Sequence, residues 1–486
     1  MTTSNKTLTP AAELNASLDH PIIDADGHWL EFGSYASEMM RKIGGDMAQQ
    51  GFEYYTTNIV KNQLALSDEE RRHQGISHPV WWGLPTSNTR DRATVMMPEL
   101  LYQRLGDFGV DFAVLYPTAG LGLTRIPDPE VRRATCRAFN VMSMEMFGRY
   151  SDKVTPVAVI PMHDPAEAVA ELEHAVGDLK MKAIMMGSLI PREIPACKDA
   201  PEQYKRFLVW HDTLGLDSAH NYDEVWSSCR DLKVNPTFHT GSRGMGNRTS
   251  PSNFVYNHIG HFAAASEAVA KALVLGGVTE RFPELKFAFQ EGGVAWACSL
   301  FADMVEHYET RSAEELEILD PDNLDVDLLC QLADEYAPEM AAAMRDENAI
   351  FDNATLPERV APRDDFAAAK VDKLSDLAER FAKPFYFGCE ADDRTVAWAY
   401  AANNNPFGSK LNTLFGSDIG HFDVSDMSSC TVEAHKLVKK GVITADDFKA
   451  QMFENPARFW GQSNPDFFKG TAVETQVAQY LKSLSA

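Results

Sequence analysis

The sequence predicts a (β/α)8 barrel, a TIM-type α/β fold with long insertions after strands one and six. Two observations predict it. Eight short, almost continuously apolar runs alternate with helical stretches, the pattern of parallel strands buried on both faces. Several of those runs end in His, Asp or Glu, and barrels of this type carry their chemistry at the C-terminal ends of the strands. A doubly wound open sheet is the competing architecture. The strand count and the polar strand ends both favour the barrel.

The runs are Pro21–His28, Asp111–Pro117, Val154–Pro161, Ala183–Ser188, Val234–Thr240, Leu285–Gly293, Pro384–Glu390 and Leu411–Asp418. Helical periodicity lies between them, for example over Asp128–Tyr150, Pro165–Leu179, Ala264–Val274 and Asp426–Lys440. Two connections exceed an ordinary βα loop. The first, 29–100, carries the aromatic stretch His78–Gly83; the second, 309–383, is acidic and helical in pattern. Both are expected to emerge near the C-terminal face of the barrel or to pack beside it, as cap or lid material of one domain spanning 21–486, with residues 1–20 as a flexible lead.

Composition narrows the function. Seventy acidic against 45 basic residues give a net charge of −25, which argues against nucleic acid or an anionic membrane as the main partner. Seven scattered cysteines without a CxxC pair read as reduced thiols. The polar N-terminus lacks the apolar core of a secretory signal, and no run is long enough to cross a bilayer. A cytoplasmic protein is the expectation. No GxGxxG, Walker loop or Gly-x-Ser-x-Gly elbow is present, so nucleotide and serine-hydrolase chemistries drop out.

The strand ends carry the remaining chemistry. Run one ends Asp24-Ala25-Asp26-Gly27-His28, placing Asp26 and His28 on one face of a strand. Run five ends at His239, run six at Glu291, and run eight at Asp418, with His421 following. Nitrogen and carboxylate donors with few sulfurs suit zinc, iron or manganese. Taken singly, each residue has a plainer role: a strand-end His as a hydrogen-bonded core group, a strand-end Asp as a helix cap. Four strands ending this way favour a metal. His258 and His261, three apart, face one side if a helix starts there; they either join the site or pack that helix. Eight candidates (Asp26, His28, His239, His258, His261, Glu291, Asp418 and His421) exceed one four-coordinate ion and suit two. Asp418, His421 and Glu291 are the candidates for acid or base work. Arg243 is a candidate for an anionic substrate group, and Trp81, Trp82 and Trp296 for an apolar substrate wall; solvated-loop and core-packing roles are the alternatives. His78 has no strand-end position and reads as structural.

In order along the chain, these elements resemble the amidohydrolase-related family of metal-dependent barrels. Its opening motif appears as Ile23-Asp24-Ala25-Asp26-Gly27-His28, its strand-five motif as His239-Thr240-Gly241, its strand-eight motif as Phe415 to His421, and its closing motif as Asn455 to Gly461. Two positions depart: Asp26 stands where the family has His, and Glu291 stands where its hydrolases and decarboxylases commonly have an acid/base His. Asn257–His261, Glu291–Trp296 and Gly420–Asp423 resemble the family's nonheme diiron monooxygenase branch. That likeness implies two irons, dioxygen, a separate electron donor, a bulky apolar and possibly coenzyme A-linked acid as substrate, and a homodimer. The wider family implies zinc or manganese with hydrolysis, or nonoxidative decarboxylation. A barrel without activity, serving as a binding scaffold, is the third possibility.

Overall fold

The computed structural model describes residues 8–80, 86–242, 246–247, 249–312, 315–320, 323–345 and 364–484. Ten strands form in chain order: β1 (Ile23–Trp29), β2 (Phe112–Pro117), β3 (Val154–Ile160), β4 (Ala183–Met186), β5 (Ile190–Glu193), β6 (Val209–Asp212), β7 (Pro236–Phe238), β8 (Phe287–Phe289), β9 (Phe385–Cys389) and β10 (Asn412–Phe415). Eight make one parallel sheet in the order β1-β2-β3-β4-β7-β8-β9-β10, one strand for each apolar run. The other two, β5 and β6, pair as a separate antiparallel hairpin that the sequence did not foretell.

The sheet closes on itself just past its last strands. The Asp418 amide donates to the Asp26 carbonyl at 3.0 Å, and the His28 amide to the Ile419 carbonyl at 3.1 Å. Gly416 permits this approach, because a Cβ there would lie 2.9 Å from that of Asp26. Every residue of β1, β2 and β3 is buried, which explains the nearly continuous apolar runs of β2 and β3; β1 buries Asp24, Asp26 and His28 as well. A chain of polar groups crosses the barrel interior. Gln290 Nε2 donates to the Tyr116 hydroxyl at 3.0 Å, and that hydroxyl to Thr237 Oγ1 at 2.8 Å. These bonds rigidify the floor beneath the site.

Helices surround the barrel. Pro129–Phe147 and Pro165–Leu172 each start with proline behind an Asp cap, Asp128 and Asp164, whose carboxylates accept the first free amides. The closing motif anchors β10 from below, with Asn455 Nδ2 donating to the Thr413 carbonyl at 2.8 Å. In the lead, Pro10–Ser17 is a helix rather than a loose strand of chain. Asn15 pins it by donating to the Gly109 carbonyl and to Asp111, both at 2.8 Å.

The two insertions differ in place. The first is helical in Gly33–Glu53, a π-helical turn Tyr54–Lys61 and shorter helices to Arg104, and it roofs the mouth of the barrel. Its Tyr55 ring presses on Gly122 so closely that a Cβ there would sit 1.7 Å from Cζ. The described residues of the second insertion do not line the mouth. Ala367–Ala369 packs on the outer helices His261–Leu275 and Val278–Arg281, and Lys370 reaches Glu280 at 3.1 Å. No helix is long and apolar enough to cross a membrane among the described residues. All seven cysteines are unpaired.

Candidate metal centre

Six of the eight candidate ligands converge at the C-terminal end of the barrel. The ligand atoms of Asp26, His28 and His239 lie within 4.8 Å of one another, and so do those of His28, Glu291, Asp418 and His421. Asp26 Oδ1 is 3.5 Å from His28 Nε2 and 3.4 Å from His239 Nε2. The two imidazoles approach to 3.1 Å through their Nε2 atoms. Glu291 spans the groups, with Oε2 3.3 Å from His239 Nε2 and Oε1 3.8 Å from His421 Nδ1. His421 Nδ1 also lies 2.6 Å from Asp418 Oδ1.

These spacings test whether metal ions suit the residues. Ligands at about 2.0–2.2 Å from one ion stand roughly 3–3.5 Å apart, which is the spacing among Asp26, His28, His239 and Glu291, while His421 stands 2.6 Å from Asp418 and 3.8 Å from Glu291. Asp26 Oδ1, Glu291 Oε2 and both Asp418 oxygens are buried without a hydrogen bond. Gathering several buried carboxylates in one place is costly unless positive charge offsets them, so the set fits a divalent cation. The donor set of imidazoles and carboxylates suits zinc, manganese or iron.

The electrostatics agree. Burial, reinforced by the neighbouring His421, pushes the His28 imidazole down to about 3, so it is a neutral donor at physiological pH. Burial acts to raise the Asp26 carboxyl, but His239 and His28 outweigh it and hold Asp26 well below the usual carboxylate range. Asp418 is driven far upward, by burial first and then by Glu291 and Glu390. A cation bound beside it would offset that penalty.

Backbone geometry aims the donors. Glu291 and Asp418 both adopt the left-handed region, with φ of 56° and 50°. That conformation costs a non-glycine residue of order 1 kcal/mol and turns each side chain inward at its strand end. Behind them, the buried carboxylate of Asp24 accepts hydrogen bonds from the amides of Asp26 at 3.2 Å and Ser417 at 3.0 Å, and from the Ser417 hydroxyl. It thus ties β1 to the loop after β10 directly behind two candidate ligands.

His258 and His261 join neither group. Both line the adjoining pocket, where the His258 ring packs against Phe254 and Phe422 and the His261 ring against His258 and Phe262. Gly241 makes room for His261, since a Cβ at that position would lie 2.1 Å from its Nδ1. Trp296 is likewise no part of the pocket: it donates to the Gly293 carbonyl at 2.9 Å and packs on Phe289 and Phe387. Trp81, Trp82 and Arg243 lie outside the described residues.

Sequence reasoning passed over several groups. Glu390 ends β9 as Glu291 ends β8, and its carboxylate, with those of Asp418 and Asp423, forms a third close group. The strand-end criterion applied to the other runs identifies it. Burial, then Glu291 and Asp423, push the Glu390 carboxyl well up. Glu31 accepts the amides of Ala119 and Gly120 at 2.8 and 3.1 Å on the pocket wall. His78 is a pocket residue too; its amide donates to the Ser250 carbonyl at 2.8 Å and its carbonyl accepts from Asn257 at 2.9 Å. Nothing local in the sequence announces these last two, which depend on how the roof docks.

The pocket has a volume of about 330 Å3 and runs from His239, Glu291 and His421 up to the roof residues Phe52, Tyr55 and Val60. It suits one small organic molecule with an apolar body.

Comparison with known proteins places this geometry. A sequence comparison with curated proteins found no match. Among solved structures, an amidohydrolase from Mycobacterium avium subsp. paratuberculosis is similar at 16% identity and a TM-score of 0.53, covering 92% of this chain and 99% of its own. The likeness is one of fold. The 5-carboxyvanillate decarboxylase of Sphingomonas paucimobilis gives 12% identity and a TM-score of 0.48 over 90% of this chain and 98% of its own. A dihydroxybenzoic acid decarboxylase of Polaromonas, solved with bound manganese, gives 13% and 0.47 over 93% and 99%. The family model described as Amidohydrolase matches residues 23–320, well over half of the sequence, and the chain belongs to that amidohydrolase family of metal-dependent barrels.

Proposed function

We propose that the chain is a two-metal enzyme that hydrolyses, or in a variant of the same scaffold decarboxylates, a small organic substrate with an apolar body. The position of Glu291 carries this reading: one carboxylate presents one oxygen beside His239 and the other toward His421. Asp26, His28 and His239 would hold one ion, and Asp418 and His421 the other, with Glu291 shared. Divalent ions bound there supply Lewis acidity and a water whose pKa falls toward ~7.

The chain's own groups do the rest. Burial lowers the His258 imidazole, which is therefore neutral at physiological pH and able to accept a proton from the pocket side. Glu390, whose carboxyl burial and then Glu291 raise, stands beside Asp418 and Asp423, where it could hold a proton. Phe52, Tyr55 and Val60 from the roof exclude bulk water and fit the apolar part of the substrate.

A second reading is oxygen-dependent hydroxylation with two irons and a separate electron donor, on an apolar acid, free or coenzyme A-linked. The glutamate at position 291, where the family's hydrolases commonly carry an acid/base histidine, favours it. Metal analysis of protein purified without added metal, combined with turnover on an ester, lactone and aryl carboxylate panel with and without air, decides between the two. Zinc or manganese with undiminished anaerobic turnover supports the first reading. About two irons per chain with dioxygen consumption replaces it by the second. A chain that takes up no metal defeats both.

A further inference from the structure

Two cations meet at the opposite end of the barrel from the metal centre with no carboxylate between them. Lys286 directly precedes β8, and Arg458 belongs to the helix Asn455–Gly461 that anchors β10 from below. The guanidinium is near enough to act on the ammonium group: burial first, and then Arg458, lowers Lys286 to about 8. Neither cation forms an ion pair with a carboxylate among the described residues. In a chain with 70 acidic against 45 basic residues, an uncompensated pair of cations stands out.

The partners these groups do have orient them without cancelling their charge. Arg458 Nη2 donates to the side-chain oxygen of Asn412 at 3.1 Å and to that of Asn455. Both amides are fixed from behind. Asn412 Nδ2 donates to the Ala382 and Phe385 carbonyls at 2.8 and 3.1 Å, and Asn455 Nδ2 to the Thr413 carbonyl at 2.8 Å. Arg458 Nε is left buried without a hydrogen bond. Lys286 Nζ reaches only the Ser463 hydroxyl, at a long 3.4 Å, and that hydroxyl is itself engaged with Asn235 at 3.0 and 3.2 Å. An unpartnered buried donor and two like charges each cost free energy. One anion between them offsets both costs.

We propose that Lys286 and Arg458 form a binding site for a small oxyanion of the phosphate type on the N-terminal face of the barrel. A guanidinium nitrogen beside an ammonium group is a donor set suited to phosphate oxygens. Because Arg458 Nε is buried, the ligand is a free ion rather than the head of a larger molecule. The anion accepts from Arg458 Nε and Lys286 Nζ and so ties the start of β8 to the closing helix. That face of a barrel serves stability rather than catalysis, so the ion strengthens the fold and takes no part in the reaction.

Titration calorimetry of the metal-loaded protein with inorganic phosphate, at constant ionic strength, tests this. Two charge-assisted hydrogen bonds correspond to a dissociation constant of about 1 mM. Lys286→Met removes one of them and weakens binding by about 10- to 100-fold, whereas Lys286→Arg restores it. Glu291→Ala, which alters the metal centre at the other end of the barrel, leaves it unchanged. Phosphate also raises the melting temperature of the native protein and of Glu291→Ala, but not that of Lys286→Met. Absence of saturable binding at about tenfold above that constant overturns the proposal. So does phosphate binding that survives Lys286→Met, or binding lost in Glu291→Ala, which places the ion at the metal centre instead.

Discussion

Removing the shared carboxylate is the most informative perturbation of the centre. In Glu291→Ala both oxygens go, the one 3.3 Å from His239 and the one 3.8 Å from His421. A four-ligand protein site binds a divalent ion with about 10–16 kcal/mol, or roughly 3 kcal/mol per ligand. At about 1.4 kcal/mol per tenfold, each ion that loses one donor binds ~10²-fold more weakly. Part of this is recovered, because Glu291 is also a cause of the raised carboxyls of Asp418 and Glu390, which its loss relieves. A bridging glutamate therefore predicts that both ions weaken together, by 10- to 100-fold each. Equilibrium dialysis against a graded chelator, with metals counted by mass spectrometry, measures the two affinities. Loss of one ion with the other unchanged assigns Glu291 to a single site and refutes the bridge. Unchanged binding of both with reduced turnover makes it a proton-transfer group and refutes its role as a ligand.

Three further outcomes follow from the geometry. Replacing His258 and His261 by Ala leaves the metal content at wild-type level, since neither ring belongs to a ligand group, but lowers turnover; metal loss in either variant would return that histidine to the ligand set. Asp24→Asn disturbs the carboxylate behind Asp26 and Asp418, lowering metal affinity by about 10- to 100-fold and stability by about 1–3 kcal/mol, read by chelator competition and thermal melting; unchanged affinity would leave Asp24 a purely structural clasp. The metal-free protein loses stability between about pH 7 and 8, because Asp24 and Glu31, both raised by burial to about 7, bind protons in the fold that they release in the unfolded chain. Their contribution is complete below the ordinary carboxylate range and disappears as pH rises through the folded values. The depressed His28 and His163, both near 3, no longer titrate in that window. A melting temperature of the metal-free protein that climbs over this interval would contradict the assignment.

How much was legible in the sequence depended on the kind of information each feature needs. The eight barrel strands were visible because a strand buried on both faces writes a continuous apolar run. The hairpin of β5 and β6 was not, because it is half exposed, contains Pro191, and joins its strands by a long connection without a hairpin turn signature. The candidate ligands Asp26, His28, His239, Glu291 and Asp418 could be proposed from strand ends alone, since the barrel fixes where strand ends point. His258 and His261 illustrate the limit of that reasoning. A spacing of three says that two rings share a side, not what they face, and here they face the pocket. Likewise, the periodicity of the second insertion revealed helices, but only the placed Ala333 shows which side of Val326–Tyr336 is turned away from solvent.

The seam of the barrel has a consequence for how the protein is made. Asp24 bonds to Ser417 across 393 positions of sequence, and the candidate ligands on either side of that seam come from the first strand and from the loop after the last. On the ribosome the opening strand emerges early, yet half of the metal pocket does not exist until nearly all of the chain has been synthesised. Any ion held by these groups would therefore be captured late in biosynthesis, and a truncated or stalled chain would lack the complete set of candidate ligands.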